Sequence, residues 1–247
     1  MTAKNLTGAT VVLVHAAWAD ASSWNKIITT FQRKGIEVVA VQIPLTSLSD
    51  DVAAVRRAFT RLSGPVVLTG HSYGGAVITA AGNDPKVKAL VYVAAIAPAE
   101  GETVGTLFHR VAPHPSAPQL SPDSDGLLWL PPDAFANAVA PDASPEETAL
   151  MQSTQKPIAL RCLGEPLTHA AWKDKPSWFI IATKDRMISP DTQRFMAERM
   201  GARIYSLPVD HTPLASAPQE VVSVIAEAVD AVLRASSPDP LRTGENA

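Results

Sequence analysis

The chain has 247 residues, enough for one large domain or two small ones and for a sizeable buried core. Apolar residues make up 46% and charged residues 18%, an ordinary globular balance, and a formal net charge of −3 without any basic run argues against nucleic acid as a partner. The single cysteine, Cys162, excludes an internal disulfide, and no Cys/His group has the spacing of a metal site. Residues 1–10 lack the apolar core of a leader peptide and no apolar run is long enough to span a bilayer, so a cytoplasmic location away from membranes is expected.

In chain order, Thr10 to His15 is a continuous apolar run of strand length, as expected of a parallel strand buried on both faces. A turn over 16–20 follows, with Ser22 or Ser23 placed to cap a helix from Trp24 to Lys34 that repeats Trp24, Ile27, Ile28 and Phe31 at helical spacing. Ile36 to Ile43 reads as a strand closed by Pro44. Ser49 or Asp50 can cap a helix carrying Val52, Val55, Phe59 and Leu62 on one face. A third strand ends at Gly70, a helix continues through Ala81, and Val87 to Ala97 is again apolar. This alternation of strand and helix describes right-handed βαβ units and a parallel sheet.

Between Pro98 and Pro176 the alternation stops. Prolines recur throughout, which rules out regular strands and admits helices only in pieces, yet apolar patches at Leu127–Leu130, Phe135, Ala149–Met151 and Trp172 interrupt it. A disordered linker would lack such patches, so a lid of short helices over a site is expected for 98–176. The rhythm resumes with a strand at Ser177 to Thr183, a helix from Asp191 to Met200 capped by Ser189, a strand at Ala202 to Leu207, and a last helix from Pro218 to Arg234. The expected architecture is therefore α/β, with a doubly wound, mostly parallel sheet of about six strands. Segments 1–97 and 177–235 form its core, 98–176 the insertion, and 236–247 a polar, disordered tail.

The stretch Gly70-His71-Ser72-Tyr73-Gly74-Gly75 lies at the strand-to-helix junction. A serine in so sharp a turn has strained backbone angles, and its neighbours two residues away on either side approach each other, which only glycine tolerates. A serine hydroxyl needs a base within hydrogen-bond reach. Of the histidines, His71 points elsewhere at a tight turn, His15 ends a strand, and His109, His114 and His169 lie in the insertion. His211 follows the last strand, at the same sheet end as Ser72. The base needs a carboxylate to hold its tautomer: Asp185, after the penultimate strand, shares that edge, with Glu100 a second candidate, while Asp210 adjoins His211 and diverges from it. For the oxyanion of an acyl transfer, the amides of Tyr73 and Ala17 are the expected donors. His15 and His71 are expected to hydrogen-bond loops. Ala16, Trp18, Trp129, Leu130, Phe135 and Trp172 are the candidate substrate-pocket residues.

Val12-Leu13-Val14-His15-Ala16-Ala17-Trp18 with Trp24, the elbow Gly70–Gly75, Lys184-Asp185 with Pro190, and His211 together resemble the α/β-hydrolases, over about residues 10–234. More narrowly they are similar to the small serine esterases grouped with plant methyl-ester hydrolases and hydroxynitrile lyases. The resemblance implies a Ser72 nucleophile, His211 base, Asp185 orienter, oxyanion amides from Ala17 and Tyr73, a helical cap and no metal or organic cofactor. Two positions depart from it. Most esterases of that group have glycine at the place of Ala16, and the lyases have threonine there and lysine at the place of Thr212, which speaks against cyanohydrin chemistry. Ser72 in turn speaks against epoxide hydrolases and haloalkane dehalogenases, whose elbow residue is aspartate. The expected substrate is a small, fairly apolar carboxylic ester. Lactone or amide hydrolysis, cofactor-free perhydrolysis, C–C cleavage or slow-turnover ligand sensing on the same scaffold are the alternatives. Composition leaves monomer and homodimer open.

Overall fold

The computed structural model describes residues 6–236. Strand β1 (Thr10–Val14) leads through a 3-10 turn (Ala21–Trp24) into α1 (Asn25–Arg33), followed by β2 (Glu37–Val41), α2 (Leu48–Phe59), β3 (Val66–His71), α3 (Gly74–Ala81) and β4 (Val87–Val93). The insertion carries α4 (Val104–Phe108), β5 (Leu127–Leu128) and α5 (Pro132–Ala134), which runs into a π-helical turn (Phe135–Val139). It continues with α6 (Pro145–Thr154), β6 (Ile158–Ala159), α7 (Leu160–Gly164) and a 3-10 turn (Ala171–Lys173). The chain then returns through β7 (Ser177–Ala182), α8 (Pro190–Arg199), β8 (Arg203–Leu207), α9 (Pro213–Ser216) and α10 (Pro218–Ser236).

Six strands form one sheet in the order β2-β1-β3-β4-β7-β8, with every neighbouring pair parallel. In such a sheet all strands finish at one edge, which brings His15, Ser72, Asp185 and His211 to the same rim. The central strands β1, β3 and β7, and β4 apart from the exposed Lys88, are buried along their length because helices cover both faces. Trp24 of the 3-10 turn, Ile27 and Phe31 of α1 and Val221, Ile225 and Val229 of α10 pack against Val11, Leu13, Val67, Val91 and Ile180 on one side. Val52, Val55 and Phe59 of α2, Val77 and Ile78 of α3 and Met196 of α8 pack against Val12, Leu68, Tyr92 and Phe179 on the other.

Local details differ from the expectations. Asp20, rather than Ser22 or Ser23, caps the turn before α1, its carboxylate accepting Ser22 N–H at 2.7 Å. Ser47, rather than Ser49 or Asp50, caps α2, because its extended backbone lets Oγ accept Asp50 N–H at 3.0 Å. Strand β4 stops at Val93 instead of Ala97, since Ala94 turns to a φ of +44° and Ile96 N–H then reaches back to the Ser72 carbonyl. The proline-rich insertion holds, beside its helical pieces, the antiparallel pair β5–β6, which its prolines had argued against; two residues per strand fit between them. Ser236, expected to open the tail over 236–247, instead closes α10, and residues 237–247 lie outside the described residues. Among the described residues, no helix is long and apolar enough to cross a membrane.

Candidate active site

Ser72 occupies the junction of β3 and α3 at a φ of +54°, a left-handed conformation that a non-glycine residue adopts only under constraint. The constraint is steric. A Cβ on Gly70 would lie 2.5 Å from the Gly74 carbonyl oxygen, and one on Gly74 would lie 2.6 Å from the carbonyl oxygen of Val14. Gly75 N–H and Ala76 N–H bond the Ser72 and Tyr73 carbonyls, which leaves the Tyr73 and Gly74 amides at the start of α3 without partners inside the helix.

Ser72 Oγ lies 2.9 Å from His211 Nε2, and His211 Nδ1 lies 2.6 Å from Asp185 Oδ2. A carboxylate only accepts, so Nδ1 carries the proton and Nε2 is the acceptor for the serine hydroxyl. All three residues are buried. Asp185 is held in turn: Oδ1 accepts the amides of Met187 and Ile188 at 2.8 and 2.9 Å, and Oδ2 also accepts Gln193 Nε2–H at 2.7 Å. Glu100, the second carboxylate candidate, pairs instead with Lys173 and accepts Ala170 N–H. Asp210 also turns away from the His211 ring, accepting Thr212 N–H, the Thr212 hydroxyl and, from the insertion, Asp142 N–H.

The two histidines expected to tie loops have fixed tautomers. His15 donates Nδ1–H to Ala16 O at 2.8 Å and accepts Ile43 N–H on Nε2, so it clamps the turn after β1 to the end of β2. Burial pushes its pKa down to about 4. His71 donates Nε2–H to His211 O at 2.7 Å, and burial lowers it further, to about 3. Both rings are therefore neutral at physiological pH. His109, His114 and His169 lie on the exposed surface of the insertion, away from Ser72.

A cavity of about 310 Å³ opens beside His71 and His211. Its walls are Ala16, Ala17 and Trp18 from the turn after β1, Leu130, Phe135, Val139 and Met151 from the insertion, and Met187 and Leu214 from the core. Trp18 adopts a φ of +57° and donates its indole N–H to Leu128 O, fastening the turn to β5. Trp129 and Trp172, both expected in the pocket, lie outside it. Trp129 is exposed and donates to Asp123 Oδ2, because the alternation along 127–130 turns Leu128 and Leu130 inward. Trp172, in the 3-10 turn Ala171–Lys173, packs against the larger core and donates to Pro98 O.

A protein-family model described as the alpha/beta hydrolase family matches residues 11–224. The chain belongs to this family. It is 27% identical to alpha/beta hydrolase nvfD of Aspergillus novofumigatus, with 88% of this chain and 95% of the relative covered. It is 23% identical to methyl jasmonate esterase 1 of Vitis vinifera, with 89% and 96% covered. Among solved structures, a pyrethroid hydrolase from Sphingobium faniae superimposes with a TM-score of 0.80 at 22% identity, covering 92% of this chain and 99% of that one.

Two residues of the candidate site were not singled out from the sequence. Gln193 is a polar residue on the face of α8 that Met196 and Ala197 bury, and that misfit is the signal that could have marked it. Asp51, on the buried face of α2, accepts Tyr73 Oη–H at 2.6 Å and Leu45 N–H at 2.7 Å, and burial raises its carboxyl to about 6. A buried acid at the start of a helix reads as an ordinary first-turn residue, so the sequence offered no cue to it.

Proposed function

We propose that the protein hydrolyses small, fairly apolar carboxylic esters through an acyl-enzyme on Ser72. The observation carrying this is the unbroken hydrogen-bonded chain from Ser72 Oγ through His211 to Asp185 at the edge of an apolar cavity. Ser72 Oγ attacks the ester carbonyl as His211 Nε2 takes its proton, and Asp185 Oδ2 steadies the imidazolium that forms. The tetrahedral oxyanion faces the amides of Ala17 and Tyr73. Collapse expels the alcohol, which takes the proton back from His211. Water, deprotonated by the same nitrogen, then attacks the acyl carbonyl, and the acid leaves with Ser72 restored.

The cavity supports the substrate class. About 310 Å³ is at the small end for ligand sites, and apolar side chains, among them Leu130, Phe135, Met187 and Leu214, make up most of its lining, beside the charged Asp20, Lys26 and Glu147. The relatives named methyl jasmonate esterase and pyrethroid hydrolase point the same way. The test pairs p-nitrophenyl acetate turnover with fluorophosphonate labelling. Ser72→Ala should lose nearly all of both while keeping its unfolding midpoint, and undiminished turnover in that variant ends the proposal.

A further inference from the structure

We propose that Gln193 is a positioning residue for the reaction, acting on His211 through Asp185. The proposal rests on the ester-hydrolase reading above. Gln193 is fully buried, and its amide makes three bonds whose polarity is forced by their partners. Oε1 accepts Ala182 N–H at 3.0 Å, at the end of β7; Nε2 donates to Ile188 O at 2.9 Å and to Asp185 Oδ2 at 2.7 Å. One side chain thus joins the strand that carries Asp185, the carboxylate itself and the exit of the loop that follows.

The bond to Oδ2 is the informative one. That oxygen is also the one receiving His211 Nδ1–H at 2.6 Å, whereas Oδ1 is occupied by the Met187 and Ile188 amides. Two amides on Oδ1 fix the carboxylate at one end but leave it a hinge. A donor on Oδ2, from a helix packed on the sheet, removes the hinge and sets where the imidazole sits. Gln193 also shares the negative charge of Oδ2 with the imidazole, so it moderates how strongly protonated His211 is held. A merely structural amide would satisfy Ala182 N–H and Ile188 O and have no reason to reach the same carboxylate oxygen as the base.

Two variants test this. Gln193→Met keeps the length and loses the donor. Its kcat should fall about 10- to 100-fold with KM within about twofold, since a small misplacement of a reacting group costs rates of that order. The acid limb of its kcat/KM profile should move to higher pH, because Oδ2 then bears on His211 alone. Gln193→Glu can donate the same bond only while residue 193 is protonated, so it should show a new alkaline fall in kcat that the wild type lacks. The rate of fluorophosphonate labelling at Ser72 reports activation of the hydroxyl without any ester, and in Gln193→Met it should drop in parallel with kcat. If esters fail as substrates but labelling still slows, the ester reading is wrong and the role of Gln193 stands. If labelling rate, kcat and pH profiles match the wild type in both variants and only the unfolding midpoint falls, Gln193 is structural and the proposal is overturned.

Discussion

His71, the residue before Ser72, donates its Nε2–H to the backbone carbonyl of His211 at 2.7 Å, so the elbow itself holds the main chain of the proposed base. The two rings lie 5.3 Å apart between centroids, tilted by 40°. Ser72 and His211 are thus linked twice, once through Ser72 Oγ and once through the preceding side chain. His71→Phe keeps an aromatic ring but leaves the buried His211 carbonyl unpaired, which costs about 1–3 kcal/mol. The urea midpoint should fall accordingly, and kcat on p-nitrophenyl acetate should fall more than kcat in a surface variant of equal stability loss.

The same burial makes stability depend on pH with a sign that can be worked out. His15, at about 4, and His71, at about 3, stay neutral in the folded protein while unfolded histidines protonate below about 6.5. The unfolded state then binds more protons, so stability drops as pH falls from about 6.5 toward 4. Asp51 opposes this. With its carboxyl raised from 3.8 to about 6, the folded state carries a proton over that interval that the unfolded state lacks, a contribution lost as pH rises through about 6. Urea midpoints at pH 7, 6 and 5 should therefore decline on acidification, less steeply in His71→Phe and more steeply in Asp51→Asn. The opposite ordering of the two slopes would contradict the assignment.

The insertion is fastened to the loops that carry both the proposed orienting carboxylate, Asp185, and the proposed base, His211. Asp210 Oδ2 accepts Asp142 N–H at 3.1 Å, Arg186 donates to Asn137 O at 2.8 Å, and Met187 packs among Leu130, Ala134, Phe135 and Ala138. Asp210→Ala removes the acceptor shared by Asp142, Thr212 and Ser216. Residues 137–145 should then become the first site of limited proteolysis, with KM raised several-fold. Unchanged cleavage there would show that Asp210 does not secure the insertion.

How far the sequence carried depended on whether a residue's environment was local. Parallel strands buried on both faces appear as unbroken apolar runs, so β1, β3, β4 and β7 were legible to within a few residues. Ser72, Asp185 and His211 were legible as candidates because each follows a strand at the same sheet edge. Gln193 and Asp51 were not, since neither lies in a motif or at a strand end; His71 was expected to bond a loop, but no spacing rule names its partner, the His211 carbonyl 140 residues away. In the insertion, prolines announced short elements but not which side of Leu127–Leu130 faces inward. Trp129 was accordingly expected in the pocket and stands in solvent.

Phe135 lines the cavity and allows a direct test of the proposed substrate pocket. It is buried in a small cluster of its own with Leu130, Ala134, Ala138 and Met187, on the insertion side of the cavity and apart from the two main cores. Truncation to alanine there removes a ring from the wall without touching the sheet that positions Ser72 and Asp185. The loss of packing costs about 3–5 kcal/mol if the cluster cannot collapse and less if it can. Collapse would fill the space again, so two outcomes are coupled. A large fall in the unfolding midpoint should accompany a wider pocket, and the kcat/KM ratio of p-nitrophenyl hexanoate to acetate should rise about tenfold, the effect of burying roughly two of the four extra methylenes at about 0.8 kcal/mol each. An unaltered chain-length preference together with a large stability loss would show that the acyl group of the substrate does not lie against Phe135.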